Sequence, residues 1–500
     1  MDYFLVFILA TGCGLLATFT ARAIAIRIGL VDKPDGRRKI QTHPVAIAGG
    51  IGVLLGTLTA LGAASILMPK VFSDLSFNPV QALSFLASAV IIVIVGMIDD
   101  LVNLRARYKL IGQIVAAAVL IGPGGLYFDQ ISLFGTHVAL GPLAIPATVF
   151  WLLATINALN LLDGMDGFLG TVGMICCIAL AFMASNVQNH LVMWVMLAMA
   201  GSILGFLRFN FPPASVYLGD CGSMLIGLVV GASALLASLK GPTVAILGPA
   251  CLLVLPMIDT TAAVVRRKLT GRGLAQGDRG HLHHVLRSGG LTIRRALALA
   301  AALGCVAAGG ALGATFMQND LFAVVAAFSV VLILLAGGLF GNAEWRLLRE
   351  RVAVVVKKAS RDRMHVELEV RLQGSFDWGA VWQEVTRAAE DLNLHTVCLD
   401  VNAPVWHEGY HRRLDRLGKP QSELKQWKVD FPLIGNGQVI GRLSVTGSRD
   451  DVPLGEKMRM LSEIVEAAEV RATEITQAAL VPPGTQTAPK ASSVPLPTPA

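Results

Sequence analysis

Up to about residue 341, apolar residues come in long blocks separated by short polar segments. A bilayer core about 30 Å thick needs roughly 20 apolar residues per spanning helix. On that measure eleven spans are predicted, near 3–26, 48–68, 81–98, 109–122, 143–161, 168–186, 190–207, 222–239, 243–265, 293–313 and 320–341, the fourth short for a crossing. Beyond them the periodicity changes. In His365–Leu372, Val366, Leu368, Val370 and Leu372 alternate with charged or polar residues, the pattern of a half-buried strand. Trp378–Leu392 has helical spacing, Thr396–Val401 reads as a strand, and Phe431–Ile434 and Val439–Val445 flank the hairpin signal Gly435-Asn436-Gly437. Leu461, Ile464, Ala468 and Ile475 form a helical stripe. The predicted fold class is a polytopic all-α membrane protein of about eleven transmembrane helices (1–341) plus a small cytoplasmic α/β domain (342–480). A Pro-, Thr-, Ala- and Ser-rich tail, 481–500, is expected to be disordered.

Composition agrees with that division. Hydrophobic residues make up 54% and charged residues 15%, where a soluble globular chain carries about 25% charged. With a mean hydropathy of +0.63, an ordinary soluble enzyme and a disordered protein are both excluded. Glu344 is the first glutamate, and the thirteen acids before it are all aspartates. The net charge of +7 belongs wholly to the first 341 residues. Eighteen of the basic residues there, among them Arg22, Arg38, Lys39, Arg105, Lys109, Arg266 and Arg279, fall on one alternating set of loops and helix ends, against Lys70 and Lys240 on the other. The positive-inside rule then puts the N-terminus outside and the basic loops and C-terminal domain in the cytoplasm. The first span has Asp2 and no basic flank, so a retained helix is expected rather than a cleaved signal. The seven cysteines show no C-x-x-C spacing, which argues against a disulfide framework or zinc site.

The remaining polar residues cluster on the predicted cytoplasmic side. They are Asp32 and Asp35; Asp99 and Asp100; Asn157, Asn160, Asp163 and Asp166; Asn210 and Asp220; and Asp278, His281, His283 and His284. Charged groups at membrane depth are costly and usually line a site. Two acids closing a helix oppose its macrodipole, so Asp99 and Asp100 read better as functional groups than as a solvated end. Asp220 between glycines fits either a helix cap or a hard-cation ligand. Asn160, Asp163 and Asp166, three apart, share a face if their helix continues. Histidines beside Arg279 and Arg287 suit phosphate. Magnesium is held by one or two carboxylates plus substrate phosphates, and phosphoryl transfer runs on positioning and charge neutralisation. The residues alone therefore point to a Mg²⁺-dependent phosphotransferase acting on a lipid, with Mn²⁺ as a substitute ion and no nucleic-acid partner. A transporter would place its polar groups at mid-span, and a sensor would leave these clusters unexplained.

The strings together resemble the polyprenyl-phosphate N-acetylhexosamine-1-phosphate transferases, over about residues 1–341. They are Asp99-Asp100-Leu101-Val102-Asn103-Leu104 with Lys109-Leu110 and Gln113, Asn157 to Gly167, Asn210 through Pro213 to Ser223, and Asp278-Arg279-Gly280-His281-Leu282-His283-His284. The loop from Asp32 to Gly50 fits less closely, with Gln41 where a His is usual and Ala46 where a Pro is usual. The D-R-G-H-L-H-H form, with Pro256 to Asp259-Thr260, is similar to the GlcNAc-1-phosphate branch; a UDP-MurNAc-pentapeptide phosphotransferase is the alternative. The resemblance implies that polyprenyl phosphate and a UDP-N-acetylhexosamine give polyprenyl-diphospho-HexNAc and UMP. It implies Asp99, Asp100 and Asp220 as catalytic and metal-binding residues, with Asp99 the candidate base. Lys39, Lys109, Asn160, Asp163, Asp166, Asn210, Arg279, His281, His283 and His284 would bind substrate. Direct attack by the lipid phosphate is preferred, a covalent aspartyl intermediate being the alternative. In the C-terminal domain, His395, His407 and His411 read as surface or packing residues, and regulation, oligomerisation or partner binding is the role expected there.

Overall fold

The computed structural model describes residues 2–32, 44–240, 243–270, 280–288, 290–338, 349, 365–373, 376–392, 394–403, 408–416, 426–448 and 454–478. Two compact units divide the chain, Met1–Glu344 and Trp345–Ala500. Lys39, Arg279 and His407, and the tail 481–500, lie outside the described residues.

The first unit is built from helices α1 Asp2–Ile28, α2 Gly49–Leu67, α3 Pro69–Ser76, α4 Pro79–Val102, α5 Ala106–Ile121, α6 Ala144–Leu162, α7 Phe168–Asn186, α8 His190–Asn210, α9 Gly219–Leu236, α10 Leu247–Leu252, α11 Val254–Leu269, α12 Leu282–Ser288, α13 Ile293–Phe316 and α14 Leu321–Ala336. Among the described residues, eight helical segments are long and apolar enough to cross a bilayer: α1, α2, α4, α6 with the turn before it, α7, α8, α9 and α13. These make the protein a polytopic membrane protein. Helices α5 and α14, at 16 residues each, fall short of that length. The span expected over 243–265 is not continuous. It opens as a strand and then breaks at Leu253 into α10 and α11, because Pro256 has no N–H for the Leu252 carbonyl and its ring crowds that oxygen.

Burial orders the bundle. Helices α7, α8 and α9 are buried along most of their length, and their apolar residues join one continuous core that includes the fully buried Trp194, Phe168, Phe206 and, from α6, Ile156. Leucine, isoleucine and phenylalanine side chains cover the outer faces of α1, α4 and α14, as lipid contact requires. Two small sheets tie loops together at the helix ends. Strands β1 Val31–Asp32, β2 Val45–Ile47 and β5 Val216–Tyr217 form one, with Asp32 opposite Val45 and Ile47 beside Tyr217. The hairpin β3 Gln130–Leu133 and β4 Thr136–Ala139 joins β6 Leu239–Lys240 and β7 Thr243–Ala245 in the other.

The second unit is a five-stranded antiparallel sheet of β8 His365–Gln373, β9 Thr396–Ala403, β10 Glu408–Arg416, β11 Gln426–Gly435 and β12 Gln438–Ser448, ordered β11-β12-β9-β10-β8. Helices α15 Gly379–Asp391 and α16 Leu454–Ala478 supply Trp378 from the turn before α15, with Val381, Trp382, Leu461 and Ala468, to a core shared with Val397, Leu399 and Val401. Asn436 and Gly437 both take positive φ, 49° and 73°, at the β11–β12 turn, as a two-residue hairpin demands. Strand β10 is the element that hydrophobic alternation does not reveal.

Candidate active site

The C-terminal ends of α4, α6 and α8 meet the start of α9, because glycines let the backbones touch. A side chain at Gly50 or Gly96 would run into the backbone of Cys221 and Gly222 in the first turn of α9. Gly219, at φ +73°, turns the chain into that helix, a backbone conformation that glycine adopts without a Cβ clash. Asp100 closes the junction. Its Oδ1 accepts from the Asp220 N–H at 2.8 Å and its Oδ2 from Cys221 N–H at 3.2 Å. So Asp100, and not Asp220, caps α9.

Asp220 is free of that duty and is held by side chains. Lys109 Nζ lies 3.0 Å from Asp220 Oδ2 and 2.7 Å from Asp99 Oδ2, bridging the two carboxylates. Asn160 donates from Nδ2 to Asp220 Oδ1 at 2.7 Å. Asp99 is buried, and its Oδ1 accepts from Leu104 N–H at 2.7 Å across the left-handed turn at Asn103. The Asp220 side chain is 32% exposed against 8% for Asp99, so of this pair Asp220 is the carboxylate offered outward.

It faces a cavity of about 380 Å³ lined by Asp32, Asp100, Asp163, Asp166 and Asp220, with Asn160, Asn210 and Tyr217. Helix α6 ends at Leu162, so Asn160, Asp163 and Asp166 do not share a helical face as their spacing implied. The turn that follows still brings all three to the cavity. Asp166 Oδ2 accepts from Ala214 N–H at 3.0 Å. Asn210 is clamped at both ends: Oδ1 accepts from Gly167 N–H and Nδ2 donates to the Val216 carbonyl, each at 2.9 Å. Loss of water, with Asp220, Asp100 and Asp166 nearby, pushes the Asp163 carboxyl up to about 8. Aspartates crowded this way call for positive charge.

The histidine segment reaches the same wall. His283 packs so tightly on Gly164 that no side chain would fit there. Burial, then His284, His281 and Arg287, holds its pKa well below the usual histidine range, leaving the ring neutral. His281 Nδ1 lies 3.1 Å from Asp259 Oδ2, and the His283 and His284 ring centroids are 4.2 Å apart. The structure thus brings Asp99, Asp100, Lys109, Asn160, Asp163, Asp166, Asn210, Asp220 and His283 to one region of the first unit. Tyr217 in the wall and Asp259 behind the histidines were not singled out as site residues. A lone Tyr in a short strand carries no spacing signal, and Asp259 entered only through the Pro256 to Asp259-Thr260 string, with no role attached.

The polar side chains that line the cavity, Asp32, Asp100, Asn160, Asp163, Asp166, Asn210, Tyr217 and Asp220, are oxygen or nitrogen donors, which suits Mg²⁺. Among the described residues no three His, Cys, Asp or Glu side chains sit close enough to cage a metal.

Residues 82–238, from α4 to the end of α9, match the glycosyl transferase family 4 model. The chain is 30% identical over 282 residues to a probable undecaprenyl-phosphate N-acetylglucosaminyl 1-phosphate transferase of Bacillus subtilis, covering 56% of this chain and 76% of that protein. It is 31% identical over 359 residues to the undecaprenyl-phosphate alpha-N-acetylglucosaminyl 1-phosphate transferase of Salmonella typhi, covering 69% and 93%. It is 33% identical over 341 residues to the decaprenyl-phosphate N-acetylglucosaminephosphotransferase of Mycobacterium tuberculosis H37Rv, covering 63% and 83%.

Proposed function

The chain belongs to the polyprenyl-phosphate N-acetylhexosamine-1-phosphate transferase superfamily, and on that premise we propose that it transfers GlcNAc-1-phosphate from UDP-GlcNAc to a polyprenyl phosphate. An oxygen of the lipid phosphate attacks the phosphorus that bears the sugar, the bridging P–O bond breaks, and UMP leaves. The observation that carries this reading is the cavity lined by five aspartates at the ends of membrane-length helices.

Two diphosphate charges cannot enter such a cavity without counter-charge. Mg²⁺, or Mn²⁺ in its place, would be held by Asp220 and the substrate phosphates, with Asp99 and Asp100 behind it. Bound there, the ion would neutralise charge building on the diphosphate. Asp100 shapes the turn that presents Asp220, and Asp99 orients Lys109. The lipid phosphate is largely ionised near pH 7 (second pKa about 6), so direct attack needs little base assistance. Asn160, Asp163, Asp166, Lys109 and the histidine segment hold the nucleotide-sugar; Lys39, Asn210 and Arg279 belong to the same proposal. The lysine and arginine bias of the loops supports a cytoplasmic active site and an external N-terminus. Residues 342–480 are assigned to regulation or to association with a partner or second copy.

The test is purified protein with Mg²⁺, polyprenyl phosphate and a panel of UDP-sugars, scored for UMP and lipid product. UMP release should need both lipid phosphate and ion, with UDP-GlcNAc the best donor. Release that survives a chelator, or none with any UDP-N-acetylhexosamine, rejects the reading.

A further inference from the structure

Asp259 lies in α11 and is almost fully buried, 1% exposed. A buried carboxylate is costly unless its oxygens are bonded, and both are bonded to the histidine segment. Oδ1 accepts from the Leu282 N–H at 2.7 Å, and Oδ2 lies 3.1 Å from His281 Nδ1. The grip therefore falls on two consecutive residues, fixing the direction of the chain as it enters α12.

Directly beyond that grip comes His283. Its ring is parallel to His281, 1° between planes and 6.0 Å between centroids. It presses on Gly164 in the cavity wall. It is 5% exposed, and its Nδ1 is buried without a hydrogen-bond partner. A neutral imidazole in that place has a nitrogen still to be satisfied; it stands behind Gly164 rather than in the open cavity, and a substrate phosphate or sugar oxygen reaching past the Gly164 turn would satisfy it. The accuracy of its placement comes from the ties behind it.

We propose that Asp259 is a positioning residue for the transferase reaction: by holding His281 and Leu282 it sets His283 against the Gly164 turn, where His283 meets the substrate. This rests on the function proposed above. A displacement of about 1 Å can cost 10²-fold in rate, so Asp259→Ala should lower kcat about 10²-fold and change KM far less. Asp259→Asn keeps an acceptor for the Leu282 N–H and should fall between Asp259→Ala and wild type.

The deciding measurement is a double-mutant cycle in the full-length protein, using UMP release with Asp259→Ala, His283→Gln and the pair. If Asp259 acts through His283, the pair should be no slower than His283→Gln alone. A merely structural Asp259 would make the two losses multiply, and that result, or wild-type turnover in Asp259→Ala, overturns the inference. If Asp259→Ala does not fold, the same cycle with Asp259→Asn decides on the same criterion. A wild-type protein without turnover removes the function and this inference together; an active wild type with multiplying losses removes this inference alone.

Discussion

Two carboxylates at the C-terminal end of α4 stand against the helix macrodipole, yet each has a compensating partner. Asp100 sits at the N-terminal end of α9, where negative charge and backbone N–H groups are complementary, and Asp99 has Lys109. Asp220 is left as the carboxylate whose loss should remove charge stabilisation without removing a cap. Asp220→Asn should therefore cost several kcal/mol of transition-state stabilisation, about 10²-fold or more at tenfold per 1.36 kcal/mol. Its thermal midpoint in detergent should stay near wild type. Asp99→Asn should also slow turnover, because Lys109 loses the shorter of its two ion pairs. UMP release alongside thermal unfolding separates the cases: near-normal turnover in Asp220→Asn would take that residue out of the proposed metal site. Asp99, Asp100 and Asp220 could be singled out from the sequence because they interrupt long apolar runs. Asp259, Tyr217 and the capping role of Asp100 could not, since each acts through a contact more than twenty residues away or through the cavity shape.

Helix junctions convert that residue chemistry into geometry. Gly96 leaves room for the first turn of α9, whereas Gly62, also within a helix, has nothing within 4 Å of where a Cβ would stand. Gly96→Val should strain the junction by roughly 1–3 kcal/mol, displacing Asp220, so stability and turnover fall together. Gly62→Ala should leave turnover unchanged and cost no stability. Equal behaviour of the two variants would mean that the α4–α9 contact does not set the site. In the second unit, His411 is buried beside Asp400, Nδ1 to Oδ1 3.3 Å. Burial alone would lower its pKa, but Asp400 and then Cys398 outweigh that and push it up to about 9. A raised folded-state pKa gives stability that is fully present below the unfolded value of about 6.5 and is lost as pH rises through about 9. Hydrogen-exchange protection of β9 and β10, corrected for intrinsic rate, should fall over that window in the wild type and not in His411→Gln. Helix positions in the first unit were readable because lipid demands long apolar runs. Strand β10 was not: Tyr410, Arg412 and Leu414 alternate with His411, Arg413 and Asp415, and each face carries a polar tie, Tyr410 to Glu369 on one and His411 to Asp400 on the other. The α10–α11 break escaped because hydropathy does not register a proline's missing N–H.

At the scale of the molecule, the site belongs to one unit and the question is what the other adds. Its cavity walls come from residues 32 to 220 and its histidine segment from 281 to 284. A reporter fused after Gly341 should behave as cytoplasmic and one in the 123–142 loop as external; the reverse would put the cavity on the wrong side for a UDP-sugar. A protein ending near Gly341 should then keep transferase activity in membranes or detergent. The last described helix of the first unit is α14, ending at Ala336, and membrane helices satisfy their own backbone hydrogen bonds. The second unit carries its own core around Trp378, Trp382 and Leu399, so neither core needs the other to bury its apolar residues. Residues 342–500 also carry equal numbers of acidic and basic groups, and so add no net charge to attract or repel an anionic substrate. Removing them should change rate or assembly only modestly, read as UMP release per folded protein and as size in detergent. Should the shortened protein insert and bind UDP-sugar yet make no lipid product, the second unit takes part in catalysis, and the division of labour drawn at the end of α14 fails.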